Sequence, residues 1–282
     1  MSTEAARFGE QDNDARRELV WSAIPYFRDR INEGLDLGLE VKRRLADRER
    51  PVALTLACGD MTGEFGFLKR MGIAQIDAFD ISEGQRQKFL DNVDDKSVPV
   101  NYQIADINDI ELPADHYDVV YLQHAYHHVE RLEHIADQIR RALRPGGTLA
   151  IVDYVGANFL QRTPRQRDLC AAIWRTLPER YRVRPSGRVF AELRIPDQAS
   201  LSPYEATRSE EIVGILDTTF ERRDAFFFGG ILYPIFNGVA QNFTESETDQ
   251  EFLRLMWDLD RWLIDTGSIE PNFMKAIYVP RS

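Results

Sequence analysis

The sequence predicts an α/β fold built on an open, doubly wound and mostly parallel sheet, and three observations carry that reading. Short apolar runs of strand character alternate with longer segments of helical spacing, the order in which a parallel sheet is assembled. The stretch PVALTLACGDMTGEFGFLKRMGIAQIDAFDIS, residues 51–82, runs from a buried strand through small residues into a helix, then into a second strand ending on Asp80. The block RALRPGGTLAIVDY, residues 141–154, closes a helix and reverses tightly at Gly146 and Gly147 into a further apolar strand.

Composition narrows the function classes. The chain has 282 residues, 43% of them hydrophobic, enough for one core with an elaboration. A net charge of -11 without a basic stripe argues against a nucleic-acid or anionic-membrane surface. The arginine patches at Arg43-Arg44, Arg140-Arg141 and 180–184 read as solvated faces. Two cysteines, Cys58 and Cys170, in no metal-like spacing, and an acidic, polar N-terminus without a secretory signal suggest a reducing cytoplasm.

In chain order, residues 1–14 are polar and expected to fray. Residues 16–50 carry apolar side chains at helical spacing, interrupted by Pro25 and the Gly34/Gly38 pair, so two short helices are expected. The first strand, residues 52–56, meets a turn at Ala57, Cys58 and Gly59, and a helix opens near Thr62. Such a junction directs backbone N–H groups and a helix N-terminus at one place. Asp80, at the tip of the second strand, is suited to take both hydroxyls of a ribose. A dinucleotide would require three glycines for close approach to a pyrophosphate, whereas here Ala57, Gly59 and Thr62 occupy those places and Asp60 adds a negative charge. A nucleoside ligand without phosphates fits better, and S-adenosylmethionine is one.

Ser82 caps a helix over 82–93, a third strand over 98–104 delivers Asp106, and 117–122 forms a fourth buried strand. A helix over 132–143 precedes the fifth strand, 148–153. All five histidines fall between His116 and His134, so His124, His127 and His128 arrive at the carboxyl end of the fourth strand, where open α/β sheets bind ligands. Histidine can accept a substrate proton at neutral pH. Their spacing with nearby carboxylates is not diagnostic of a metal, and none is expected. Beyond residue 154 come an amphipathic helix near 165–177, an arginine-rich loop, a helix over 209–220 capped by Ser209, and a sixth strand over 223–228. The apolar stretch 226–240 reads as a buried helix, or as a pocket wall or homodimer contact. It is too short and interrupted for a membrane span. A helix over 247–263 and a last strand over 274–279 complete the chain.

The turn at Ala57 to Gly59, together with HYDVVYLQHAYHHVERLE (116–133) and the RALRPGGTLAIVDY block, resembles the class I S-adenosylmethionine-dependent methyltransferases. It departs from that family's acid-x-G-x-G-x-G motif at Thr55, Ala57 and Met61. The resemblance implies a Rossmann-like seven-stranded, mostly parallel sheet with an antiparallel last strand, an N-terminal helical lid and helical insertions after strands 5 and 6. It implies a lid over 1–50, a core over 51–153 and 206–282, and a substrate-covering insertion over 154–205. For S-adenosylmethionine it implies Ala57, Cys58 and Gly59 around the amino-acid part, Asp80 with Ile81 at the ribose, Asp106 with Ile107 at the adenine, and Gln123 flanking the donor. His127 or His124 would act as base, His128 would pack against the helix, and Tyr26, Tyr154 and Arg182 would meet a small-molecule acceptor. Uncharacterised bacterial methyltransferases of glycan or secondary-metabolite assembly share the arrangement, so O-methylation of a hydroxyl on a sugar or related metabolite is expected. N- or C-methylation and a non-catalytic S-adenosylmethionine-binding module are the alternatives.

Overall fold

The computed structural model describes residues 20–95, 97–193 and 204–281. The fraying expected over residues 1–14 lies outside these residues. Seven strands form one sheet: β1 (Val52–Leu56), β2 (Gln75–Asp80), β3 (Val100–Ile104), β4 (Tyr117–Gln123), β5 (Leu143–Tyr154), β6 (Phe220–Phe228) and β7 (Phe273–Pro280). Their order is β3-β2-β1-β4-β5-β7-β6. The first five run parallel, with β1 set against β2 from Val52↔Gln75 to Leu56↔Phe79, and β7 runs antiparallel to both β5 and β6. This is the seven-stranded Rossmann-like sheet that the sequence predicts. The order reverses between β1 and β4, which opens a crevice beyond their carboxyl ends.

Both faces of the central strands are covered, which is why they read as continuous apolar runs and not as alternating ones. Helices α1 (Val20–Ala23), α2 (Pro25–Gly34) and α3 (Leu37–Leu45) precede the sheet, and α4 (Thr62–Arg70) and α5 (Glu83–Asn92) follow β1 and β2. On one face, Val41 and Leu45 of α3 and Phe65 and Leu68 of α4 pack on Ala53, Val119 and Ala150. On the other lies α6 (Leu132–Ala142), which buries Leu132, Ile135, Ala136 and Ile139, the i, i+3, i+4, i+7 stripe of an amphipathic helix, against Leu54, Val120 and Leu149. Helices α7 (Pro164–Thr176), α8 (Ile212–Thr219), α9 (Leu232–Phe236) and α10 (Glu247–Asp265) complete the chain. Trp21 and Phe27 of the leading helices, Trp174 of α7, Phe236 of α9 and Trp257 of α10 share a separate apolar cluster beside β6 and β7.

Three local expectations are corrected. The fifth strand begins at Leu143, because Leu143 already pairs with Tyr117 of β4 and the Arg-Pro-Gly-Gly turn lies in the register shift between that pair and Val119↔Thr148. Ser209 is no cap: it opens a single 3-10 turn, is fully buried, and donates its hydroxyl to the Gly156 carbonyl at 2.8 Å. The apolar stretch 226–240 supplies the end of β6 and then only the five-residue α9, since Gly229 and Gly230 intervene and Gly229 takes a positive φ of 77°. Met61, where the sequence departs from the glycine motif, accepts a different turn. It adopts a left-handed φ of 52° and buries its side chain completely with Phe65 and Leu68.

Candidate active site

The turn after β1 alternates left-handed residues: Ala57 (φ 47°), Gly59 (52°) and Met61 (52°). Ala57 therefore occupies a conformation that normally selects glycine, at a cost of about 1 kcal/mol or more. Asp80 holds this turn from the tip of β2. Its carboxylate accepts the Gly59 N–H at 2.9 Å and the Ser82 N–H at 2.9 Å, and Tyr102 donates its hydroxyl to the Gly59 carbonyl at 2.6 Å. Burial pushes the Asp80 carboxyl up, against these backbone donors. Cys58 is buried and unpaired, its thiol pushed far up by burial and then by the Asp80 charge, so it is a small packing residue and not a nucleophile.

S-adenosylmethionine fits this donor set on two observations. A Cβ built on Gly59 would meet nothing within 4 Å, so its outer side is open to a ligand. Thr55, standing where the family's carboxylate is expected, buries a hydroxyl that has no hydrogen-bond partner among the described residues. Gln123 ends β4 and accepts the Tyr121 hydroxyl at 2.7 Å. Both line a cleft of about 530 Å³ with Gly63, Phe67, Val152 and Lys275. Asp106 is exposed and caps the turn after β3, accepting the Asn108 N–H at 2.9 Å, with Ile107 buried beneath it and Ile81 half-buried after Asp80. The structure thus brings Ala57, Cys58, Gly59 and Asp80 into one turn.

The histidines are organised by Asp153, a residue that sequence reasoning passed over. It sits fully buried near the end of β5 and accepts the N–H groups of Ala125 (3.1 Å) and Tyr126 (2.6 Å) on one oxygen. Its other oxygen accepts the Tyr154 N–H at 2.7 Å and meets Nδ1 of His127 at 2.5 Å. The Nε2 of His127 faces Oε1 of Glu205 at 3.2 Å, a hydrogen-bond distance, so a shared proton holds these two atoms. Burial alone would push the His127 imidazolium down, but Asp153 and then Glu205 overcome it and hold the ring up at about 10. His124 has neither partner; burial drives it down to about 4 despite the pull of Asp153. Burial and the neighbouring His127 do the same to His128, whose ring lies 4.0 Å from that of His127. At neutral pH the loop therefore carries one imidazolium and two neutral rings.

His124 takes a left-handed φ of 53° while its N–H reaches the Val152 carbonyl at 2.8 Å, a strained position of the kind that collects at functional sites. Its ring meets Phe273 edge-on at 6.0 Å, and Phe273 in turn contacts Trp21, Tyr154 and Tyr233. Tyr154 is buried, 6.4 Å from His127 between ring centres, and spends its hydroxyl on the Ala157 carbonyl at 2.9 Å. Tyr26 and Arg182 are not drawn to this place. Tyr26 lines a separate surface hollow with Arg30, Arg254, Trp257 and Asp258, and Arg182 turns to the Phe190 and Ala191 carbonyls. Glu205 left no signal in the sequence, because a loop about fifty residues past Asp153 carries it in. Asp153 had one, a carboxylate at the tip of a central strand.

The sequence profile of a family described as "Methyltransferase domain" matches residues 54–151, from within β1 to within β5. No curated protein matches the chain. A candidate sarcosine dimethylglycine methyltransferase from Galdieria sulphuraria is similar in structure, with TM-score 0.53 and 12% identity over 88% of this chain and 84% of that one. So is a phosphoethanolamine N-methyltransferase 2 of Haemonchus contortus solved with phosphomonomethylethanolamine and S-adenosylhomocysteine (0.51, 18% identity, 88% of this chain). This chain spans 53% of that protein's length. The [4+2]-cyclase SpnF is similar to the same degree (0.50, 14%, 88% and 82%), so this fold does not by itself fix a reaction. The matched profile and the strand order together give this chain a methyltransferase domain, carried on the class I methyltransferase fold.

Proposed function

We propose that the protein methylates a hydroxyl of a small molecule, a sugar or related metabolite, with His124 as the group that takes the hydroxyl proton. S-adenosylmethionine supplies an activated methyl group when bound. Ala57, Cys58 and Gly59 hold its amino-acid part, Asp80 with Ile81 its ribose, and Asp106 with Ile107 its adenine, while Gln123 flanks the reacting end. The observation that supports the assignment of the base is the split in charge within one loop. His127 already carries a proton between Asp153 and Glu205 and has none to gain. His124 is neutral, buried and held in place by its backbone. A low pKa does not disqualify it: as the hydroxyl oxygen gains the methyl group as a third substituent its proton becomes strongly acidic, so a weak base suffices late in the step. Alignment of the acceptor supplies much of the remaining rate. His128 packs against His127, and Tyr154 walls the acceptor site. No helix among the described residues is long and apolar enough to cross a membrane, and both cysteines are unpaired, which suits a reducing cytoplasm.

An acceptor screen with S-adenosylmethionine tests this reading. With a turned-over hydroxyl compound, His124→Asn should lower kcat about 100-fold or more. The rate should stay level through neutrality and decline only as pH falls toward 4, where His124 charges. A wild-type kcat in His124→Asn, or turnover confined to amines, would contradict it.

A further inference from the structure

Arg162 is the one described arginine that is both nine-tenths buried and without an acid. Only 6% of it is exposed, and its Nε is sealed from solvent with no hydrogen-bond partner. Its sole hydrogen bond among the described residues runs two residues back, from Nη1 to the Leu160 carbonyl. Among the described residues no carboxylate lies within ion-pair distance. A guanidinium cannot shed its proton to escape burial, so a buried one without a counter-ion is costly unless an anion arrives. Other buried charges among the described residues meet a counter-charge or backbone donors: Asp118 takes Arg144 at 2.7 Å and Arg48 at 3.3 Å, Asp153 takes His127, and Asp260 accepts the N–H groups of Gly229 and Ile231.

Its surroundings are those of the acceptor site. The guanidinium lies 5.7 Å from the centre of the Tyr154 ring and 5.5 Å from that of Tyr233. Tyr154 also touches His127, and Tyr233 meets Phe273, which meets His124. One layer of rings thus connects Arg162 to both charged and neutral histidines. The rings hold the guanidinium by its π-system but satisfy none of its N–H donors. Those donors form a fork that matches the two oxygens of a carboxylate.

We propose that Arg162 is the acceptor's anchor and that the acceptor carries an anionic oxyacid group, a carboxylate in the first instance, paired with this guanidinium. The inference deepens the methyltransferase reading and rests on it. It also makes an acidic hydroxy compound, not a simple amine, the substrate class to be screened, since a cationic acceptor would be repelled.

The test needs no identified acceptor. Wild type and Arg162→Met, each saturated with S-adenosylhomocysteine, are melted at constant ionic strength with acetate, inorganic phosphate or acetamide, and Arg162→Gln serves as a second variant. Acetate at about tenfold its Kd should raise the wild-type Tm by about 3 °C or more, acetamide should not, and both variants should lose the response. Arg162→Met, freed of a buried unpaired charge, should melt at or above wild type without anion. A larger response to phosphate than to acetate would keep the anchor and assign it to a phosphoryl group. An acetate response that persists in both variants, or none in wild type, would overturn the proposal. So would Arg162→Met and Arg162→Gln both melting several degrees lower, since the arginine would then be structural. Calorimetry of S-adenosylhomocysteine on the same samples separates this failure from failure of the methyltransferase reading, which would appear as no binding at all.

Discussion

His124 and His127 stand three residues apart on one loop, yet their surroundings drive them to opposite charge states. His127 lies between two carboxylates, one of them fully buried, so removing its ring leaves Asp153 uncompensated in the core. His127→Gln should therefore destabilise the fold by about 3 to 5 kcal/mol in urea denaturation, whereas His124→Gln should cost much less. The same scale governs the turn after β1. Ala57 holds φ at 47°, which glycine adopts freely, so Ala57→Gly should stabilise the protein by about 1 kcal/mol in the same assay. Met61→Gly should not, because the relief is outweighed by loss of a side chain buried completely among Phe65 and Leu68.

At the scale of elements, the sheet and its flanking helices were largely legible, because buried parallel strands and amphipathic helices write different periods into the chain. Leu132, Ile135, Ala136 and Ile139 announce α6 without ambiguity, and VALTL can be little but a central strand. The histidines and the Ala57 to Gly59 turn were legible for the same reason, since strand ends fix where they emerge. What remained hidden depends on contacts between distant segments. Glu205 reaches His127 from a loop with no periodicity of its own, and nothing in the sequence around Arg162 marks it as buried. Ser209 read as a cap because serine before acidic residues usually is one, but tertiary packing claims its hydroxyl for Gly156, 53 residues away. Ser209→Ala leaves that buried carbonyl short of its donor, with an expected loss of about 1 to 3 kcal/mol in chemical denaturation.

Across the whole molecule, the charge split sets how stability depends on pH. His124 and His128 have folded-state values lowered to about 4, below the ordinary 6.5, so the unfolded chain binds more protons between those limits and stability falls as pH drops through that window. His127 acts in the other direction. Its value is raised to about 10, so its contribution is fully present below 6.5 and is lost as pH rises toward 10. Melting temperature against pH should therefore decline on both sides of near-neutral pH. His128→Asn should make the acid limb shallower while leaving the alkaline one, His124 keeping its share, and an unchanged acid limb would remove His128 as one of its causes.

The claim on which the account turns is that the crevice between β1 and β4 binds S-adenosylmethionine through the turn that Asp80 holds. Calorimetric titration of wild type, Asp80→Asn and Asp80→Ala with S-adenosylmethionine and S-adenosylhomocysteine tests it most directly, with melting curves run beside it to establish that each variant is folded. The expected result is micromolar binding to wild type, weakened about tenfold or more by Asp80→Ala, a loss of about 1.4 kcal/mol. Folded wild type that binds neither ligand, or a folded Asp80→Ala that binds both as tightly as wild type, would contradict it.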